Sequence, residues 1–162
     1  MKTSLVILAS VLLVLGMVSV AFADLAPTQA VTATVTVQGV VNIDIDSSSV
    51  VFGNVFPDDL NDKVPTDGNP ITVTIDSNTA YVVKTFANQA DFTPLGSGSL
   101  AASNLKWSTD DLTYSGYVVA PGVTIKSGTG SGNAQLYHKL TVPTGTIADT
   151  YSLPITLSIT TP

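Results

Sequence analysis

The sequence predicts an all-β chain: an immunoglobulin-like (Greek-key, jelly-roll-like) sandwich of two sheets and about eight or nine strands. Three observations predict it. Residues 30–46 alternate without a break, with Val31, Ala33, Val35, Val37, Gly39, Val41, Ile43 and Ile45 on one side. Shorter alternating runs follow, each bounded by turn residues. All 12 acidic residues are Asp and all 6 basic residues are Lys, so the Glu and Arg of exposed helices are missing. Asp, Ser, Thr and Gly, which fill the gaps between the runs, favour turns and caps.

The first 23 residues stand apart from this pattern. Lys2 is followed by an apolar run over residues 5–20, and Ala21-Phe22-Ala23 has the small-x-small form that a signal peptidase reads. The expectation is cleavage after Ala23, with an uncleaved N-terminal anchor as the other reading, since the run is just long enough to span. No Cys follows it, which excludes a lipoprotein signal, and no second apolar run predicts a membrane span in the mature chain. The mature chain, residues 24–162, is long enough for one domain with its own core. With 0 Cys it is exported without a disulfide framework, as suits a bacterial or archaeal surface protein.

Residues 24–29 (Asp-Leu-Ala-Pro-Thr-Gln) form a tail, and the alternating stretch begins behind it. Period two is the mark of an extended strand with one buried and one wet face. At ~3.3 Å per residue this strand reaches about 50 Å, against roughly 17–20 Å for a typical one. Either it bends at Gly39 and serves both sheets, or its first half leaves the domain and completes a neighbouring subunit. The domain division on the second reading is a leader at 1–23, an N-terminal extension at 24–38 and a sandwich at 39–162.

Ser47-Ser48-Ser49 turns the chain into a short strand at 50–52, ended by Gly53. Residues 57–70, rich in Asp, Asn, Gly and Pro, read as a polar loop. Residues 71–76 alternate, Ser77-Asn78-Thr79 makes a turn, and residues 80–87 are the expected hairpin partner. Residues 88–103 are loop-like. Short strands are expected at 105–108, 114–119 and 123–126, with Pro121-Gly122 as a turn between the last two. After a Gly/Ser turn at 127–133, residues 135–142 place Leu136, His138, Leu140 and Val142 on one face. The final strand, 151–160, carries Pro154, whose missing N–H assigns it to a sheet edge or a strand start.

Composition excludes several function classes. The net charge of −6 with no Arg is unsuited to nucleic acid or to an anionic membrane surface. One His and no Cys give no transition-metal set. His138 shares a face with apolar residues and no nucleophile elbow accompanies it, so it reads as a core or edge histidine. Paired carboxylates are present, but in hydrophilic turns rather than the partly buried positions that catalytic acids need; no enzymatic activity and no cofactor are expected. Asp58, Asp59 and Asp62 offer oxygens on one loop, the arrangement calcium takes, though the spacing is not an EF-hand and a solvated loop is the plainer reading. Trp107, Tyr114 and Tyr117 could form an aromatic sugar platform; a lone Trp in a sandwich is more often core.

The stretch freed by cleavage carries the sharper functional expectation. An exposed alternating strand is an aggregation hazard unless something pairs with it. Pairing with the open sheet edge of another copy would bury Val31, Ala33, Val35 and Val37, and such a heterologous contact builds a head-to-tail filament. The segment Val51-Phe52-Gly53-Asn54-Val55-Phe56-Pro57, residues 71–87, and the final strand from Ala148-Asp149-Thr150-Tyr151 onward resemble secreted prokaryotic fibre subunits. The pattern is similar to spore-coat-U and fimbrial sandwich domains, to archaeal bundling pilins and to camelysin-like biofilm-matrix fibre proteins. The resemblance implies a homopolymer built by N-terminal strand donation, located at the cell surface and bundling with neighbouring filaments. The chain departs from the spore-coat-U and usher-assembled pattern in having no Cys pair, and it lacks the short charged leader of type IV pilins. The competing expectation is a monomeric adhesion or glycan-binding module.

Overall fold

The computed structural model describes residues 33–162, and a folded unit spans Gln38–Pro162. Its strands are β1 (Val41–Ile45), β2 (Asp58–Lys63), β3 (Ile71–Ser77), β4 (Ala80–Ala87), β5 (Thr93–Pro94), β6 (Leu105–Ser108), β7 (Ser115–Gly116), β8 (Val123–Thr129), β9 (Gly132–Val142), β10 (Tyr151–Ser152) and β11 (Ile155–Thr160), with a single 3-10 turn at Ala102–Asn104. The architecture is an all-β sandwich, as the sequence predicts.

The larger sheet runs β1-β3-β9-β6-β7, all antiparallel. β9 is its spine. β3 pairs with the first half of β9 and β2 with the second half, while β6 lies along its other side. The smaller sheet is β11-β4-β8, and β5 pairs with β10. The core lies between the sheets. Ile71, Val73 and Ile75 of β3 and Leu136, Leu140 and Val142 of β9 face Tyr81, Val83 and Ala87 of β4. Val73, Ile75, Val83 and Leu136 are wholly buried, each stabilising the fold by about 1.5–3 kcal/mol through apolar area removed from water.

Several expectations are corrected. β3 and β4 are not a hairpin: they belong to different sheets, and the Ser77-Asn78-Thr79 turn carries the chain across the sandwich. The short strand at 50–52 is one bridge, Val51 to Asp67. The supposed loop at 57–70 contains β2, whose polar side chains hid a strand that pairs through its backbone. The predicted strand at 114–119 shrinks to β7, with Val119 bridging Ala87. The final strand breaks at Leu153-Pro154; β10 pairs with β5 and β11 with β4. Pro154 stands immediately before β11, a sheet-edge strand, where its missing N–H costs no ladder bond. Gly68 has φ +69, and a Cβ there would strike the Ser49 carbonyl, so only glycine fits where residues 65–70 lie against 47–51.

Candidate functional site

Among the described residues of the long alternating stretch, the strand runs from Val41 to Ile45. Residues 33–40 carry no strand assignment, so the expected single strand over 30–46 is shortened within the described residues. Ala33, Val35 and Val37 are exposed, Val35 and Val37 at 84% and 76%. Val31 lies outside the described residues.

The chain joins the sandwich at Asn78. Its Oδ1 accepts a hydrogen bond from the Val40 N–H at 2.6 Å, and its Nδ2 donates to the Gln38 carbonyl at 2.9 Å. The Asn78 N–H donates in turn to the Val40 carbonyl at 3.2 Å. The turn itself is stiffened by Ser77, whose Oγ donates to the Thr79 carbonyl and accepts from the Thr79 N–H. The backbone of 38–40 is therefore fixed to the crossing between the two sheets. At Gly39 a Cβ would meet Thr79 only at 3.6 Å, ordinary contact, and its φ lies outside the left-handed region. No glycine-only bend is built into that position.

The side of the sandwich bounded by β1 and β11 carries a row of incompletely covered apolar residues. Val41 and Ile43 of β1 and Ile155, Leu157 and Ile159 of β11 all pack on the core, yet all are only half-buried. β1 lies alongside β11 across the two sheets. Toward β6 and β7 the core holds large buried groups. Tyr117 is 2% exposed, Trp107 9% and His138 0%. The Tyr117 hydroxyl lies 3.0 Å from His138 Nε2 and accepts from Thr85 Oγ1 at 3.4 Å, joining β9 to β4 through the core. Burial alone pushes the His138 pKa down to about 4, so the ring is neutral, and burial raises the Tyr117 pKa.

These positions settle the aromatic candidates. Trp107, Tyr117 and His138 are core residues, and Trp107 and Tyr117 offer no exposed ring to a sugar. Tyr114 is half-buried; its hydroxyl donates to Asp111 and the Lys139 ammonium sits 4.1 Å from its ring centroid.

The three aspartates of the calcium reading sit on β2 and turn to different partners. Asp58 accepts from Asn61, from the Leu60 N–H at 3.0 Å and from Lys63 at 3.1 Å, and these contacts lower its pKa well below the usual carboxylate range. Asp59 accepts from the Thr144 N–H at 2.8 Å. Burial disfavours the Asp62 carboxylate, but hydrogen bonds from Lys106 at 2.8 Å and Thr141 at 2.6 Å outweigh it and lower its pKa. No group of three His, Cys, Asp or Glu side chains placed to hold a metal ion occurs among the described residues. These carboxylates staple β2 to β6, β9 and the loop after β9.

The clasp at Asn78 escaped the sequence reading, which marked only a turn there. The one signal was its place between two alternating runs. Among the described residues no helix is long and apolar enough to cross a membrane. No family model, no curated protein and no solved structure matches this chain.

Proposed function

We propose that this chain is the structural subunit of an extracellular filament, polymerising head to tail by donation of its N-terminal segment. Residues 24–38 are the donor, and Val31, Ala33, Val35 and Val37 are the side chains that fill a groove on the next copy. The observation that carries the reading is an apolar alternation whose described part, residues 33–37, is exposed and has no strand assignment. Val35 and Val37 are exposed, while the chain from Gln38 onward is pinned by Asn78. Two exposed valines in a run of Thr, Val and Ala lose about 1.5–3 kcal/mol each of available burial, which an acceptor groove would supply. Strand addition also satisfies the backbone donors and acceptors of the segment.

Export through a cleaved leader at 1–23 supplies the donor with a free end, and a surface or biofilm-matrix location follows from export. The test is the full chain expressed with export, examined by negative-stain microscopy and light scattering on one sample. Uniform filaments are the expected result; a monodisperse monomer at high concentration rejects the reading.

A second reading, a monomeric surface adhesion module, is favoured by exposed apolar residues on loops, Phe56 and Leu95 at 84% and 85%. It predicts a stable monomer that binds cell-surface protein or glycan.

A further inference from the structure

We infer that the acceptor of the donated strand is the free edge of β11, and that its occupant is residues 31–37 of a second copy of this chain. The inference rests on the fibre reading above and names the surface that reading needs.

Exposed strand edges in native proteins are blunted by charge, bulges or proline, because a bare edge recruits any free strand. Four strands of four residues or more have one unpaired side among the described residues: β1, β2, β8 and β11. β1 carries Asp44 and is followed by Asp46. β2 is Asp-Asp-Leu-Asn-Asp-Lys, with an irregular register against β9. β8 carries Lys126, and its pairing with β4 shifts between Val83 and Lys84. β11 has none of these devices. Ile155–Thr160 contains no charged residue, and its register with β4 runs unbroken from Ile155↔Ala87 to Thr160↔Val82. Pro154 protects only the residue before the strand.

The faces agree with the edge. Ile155, Leu157 and Ile159 point toward the core and remain half-buried, as do Val41 and Ile43 on the facing strand. A further strand on β11 would cover this apolar seam. β8 has Ile125 half-buried on the core and Val123 exposed, but only Ile125 packs there, and the edge beside it carries Lys126 and the register shift.

The occupant follows from chemistry and length. Residues 25–43 contain no charged side chain, so donor and edge are both neutral. The pairing sets Val-Thr-Ala-Thr-Val-Thr-Val against Ile-Thr-Leu-Ser-Ile-Thr, β-branched and hydroxyl residues on both strands, the cross-strand pairs that stabilise sheets. Seven extended residues span about 23 Å and six span about 20 Å, so the segment matches the edge. We assign the donor to another copy because residues 33–37 are exposed and carry no strand pairing within their own chain, while from Gln38 onward the backbone is held by Asn78.

The chain contains 0 Cys, so single-cysteine variants report one contact each. Full-length exported chains carrying Thr34→Cys are co-assembled with chains carrying Ser158→Cys, or with chains carrying Ser127→Cys on β8, and treated with a bis-maleimide. The high effective concentration inside a filament gives about tenfold more mixed dimer with Ser158 than with Ser127. Filaments that cross-link equally well or better through Ser127 overturn the β11 assignment and leave the fibre reading standing. No filaments and no mixed dimer from either pair overturn both. A second variant, Ser158→Lys, places a charge on the bare edge; it retains the parent thermal melt and loses about tenfold of the assembled fraction, whereas Ser127→Lys does not. Assembly of the Ser158→Lys chain at the parent level overturns the proposal.

Discussion

Asn78 and Val40 hold one another by two hydrogen bonds, side chain to backbone at 2.6 Å and backbone to backbone at 3.2 Å. Asn78 sits on the turn that carries the chain from the larger sheet to the smaller. Val40 is the last residue before β1. The same contact thus anchors the first strand, closes the crossing turn and fixes the place from which the N-terminal segment departs.

Asn78→Ala removes an acceptor for Val40 and a donor for Gln38. The site is exposed, so water partly compensates, and the expected loss is about 1–2 kcal/mol in urea unfolding followed by Trp107 fluorescence. Asn78→Asp retains the acceptor for Val40 and should lose less. Equal stability for Asn78→Ala and the parent would show that the clasp is incidental.

Acid should destabilise the fold in two windows. His138 is buried neutral, with its pKa pushed down from its ordinary value of 6.5 to about 4. The unfolded chain takes up a proton as pH falls below 6.5, and the folded chain does not until about pH 4, so stability falls across that interval by about 3 kcal/mol in all. The lowered carboxylates act at lower pH: Asp110, held near 2 by Ser108 and the Thr113 and Leu112 N–H groups, favours the fold above its ordinary value of 3.8 and loses that contribution as pH falls toward 2. His138 is the one histidine and there is no Glu, so between pH 6.5 and about 5 the slope belongs to a single side chain. Urea midpoints for His138→Gln should be flat from pH 6.5 to about 5, above the range where the lowered carboxylates act. A parent-like slope in that variant would assign the effect elsewhere.

Leu136 is wholly buried on β9 between β3 and the core residues of β4. Leu136→Ala leaves a cavity at the spine of the larger sheet and should cost about 2–5 kcal/mol. A loss under 1 kcal/mol by urea unfolding would mean that the two sheets re-close around the gap, in conflict with the packed core described above.

Calcium should leave the melting temperature unchanged. The carboxylates of Asp58 and Asp62 already take up Lys63, Asn61, Lys106 and Thr141, and Asp59 caps Thr144. A cation would have to displace those partners. Calorimetry with calcium and then with a chelator reads this directly; a rise in melting temperature with calcium would restore the loop as a metal site.

The strands legible in the sequence are those with apolar residues every second position. Ile71, Val73 and Ile75, and Leu136, Leu140 and Val142, fall on the buried face as the alternation says, and His138 among them is buried with its neighbours. β2 was illegible because Asp-Asp-Leu-Asn-Asp-Lys has no apolar period; its side chains form ion pairs and it enters the sheet through its backbone. Period two also says nothing of partners. Residues 71–76 and 80–87 alternate cleanly around a turn, and only tertiary packing decides that the turn crosses between sheets. The stretch at 33–40 shows the converse: its alternation is as regular as that of β3, but within the described residues no strand pairs with it, and only Gln38 and Val40 are held, by Asn78. The proposed donor was therefore legible as a pattern, whereas the clasp at Asn78 and the bare edge of β11 required the structure.

The most direct test of the account compares filament formation by the exported chain with and without residues 24–38, scored by electron microscopy and by the melting temperature of each. The account predicts filaments from the parent, none from the deletion, and a cooperative melt in both. Filaments of unchanged form from the deleted chain would contradict it.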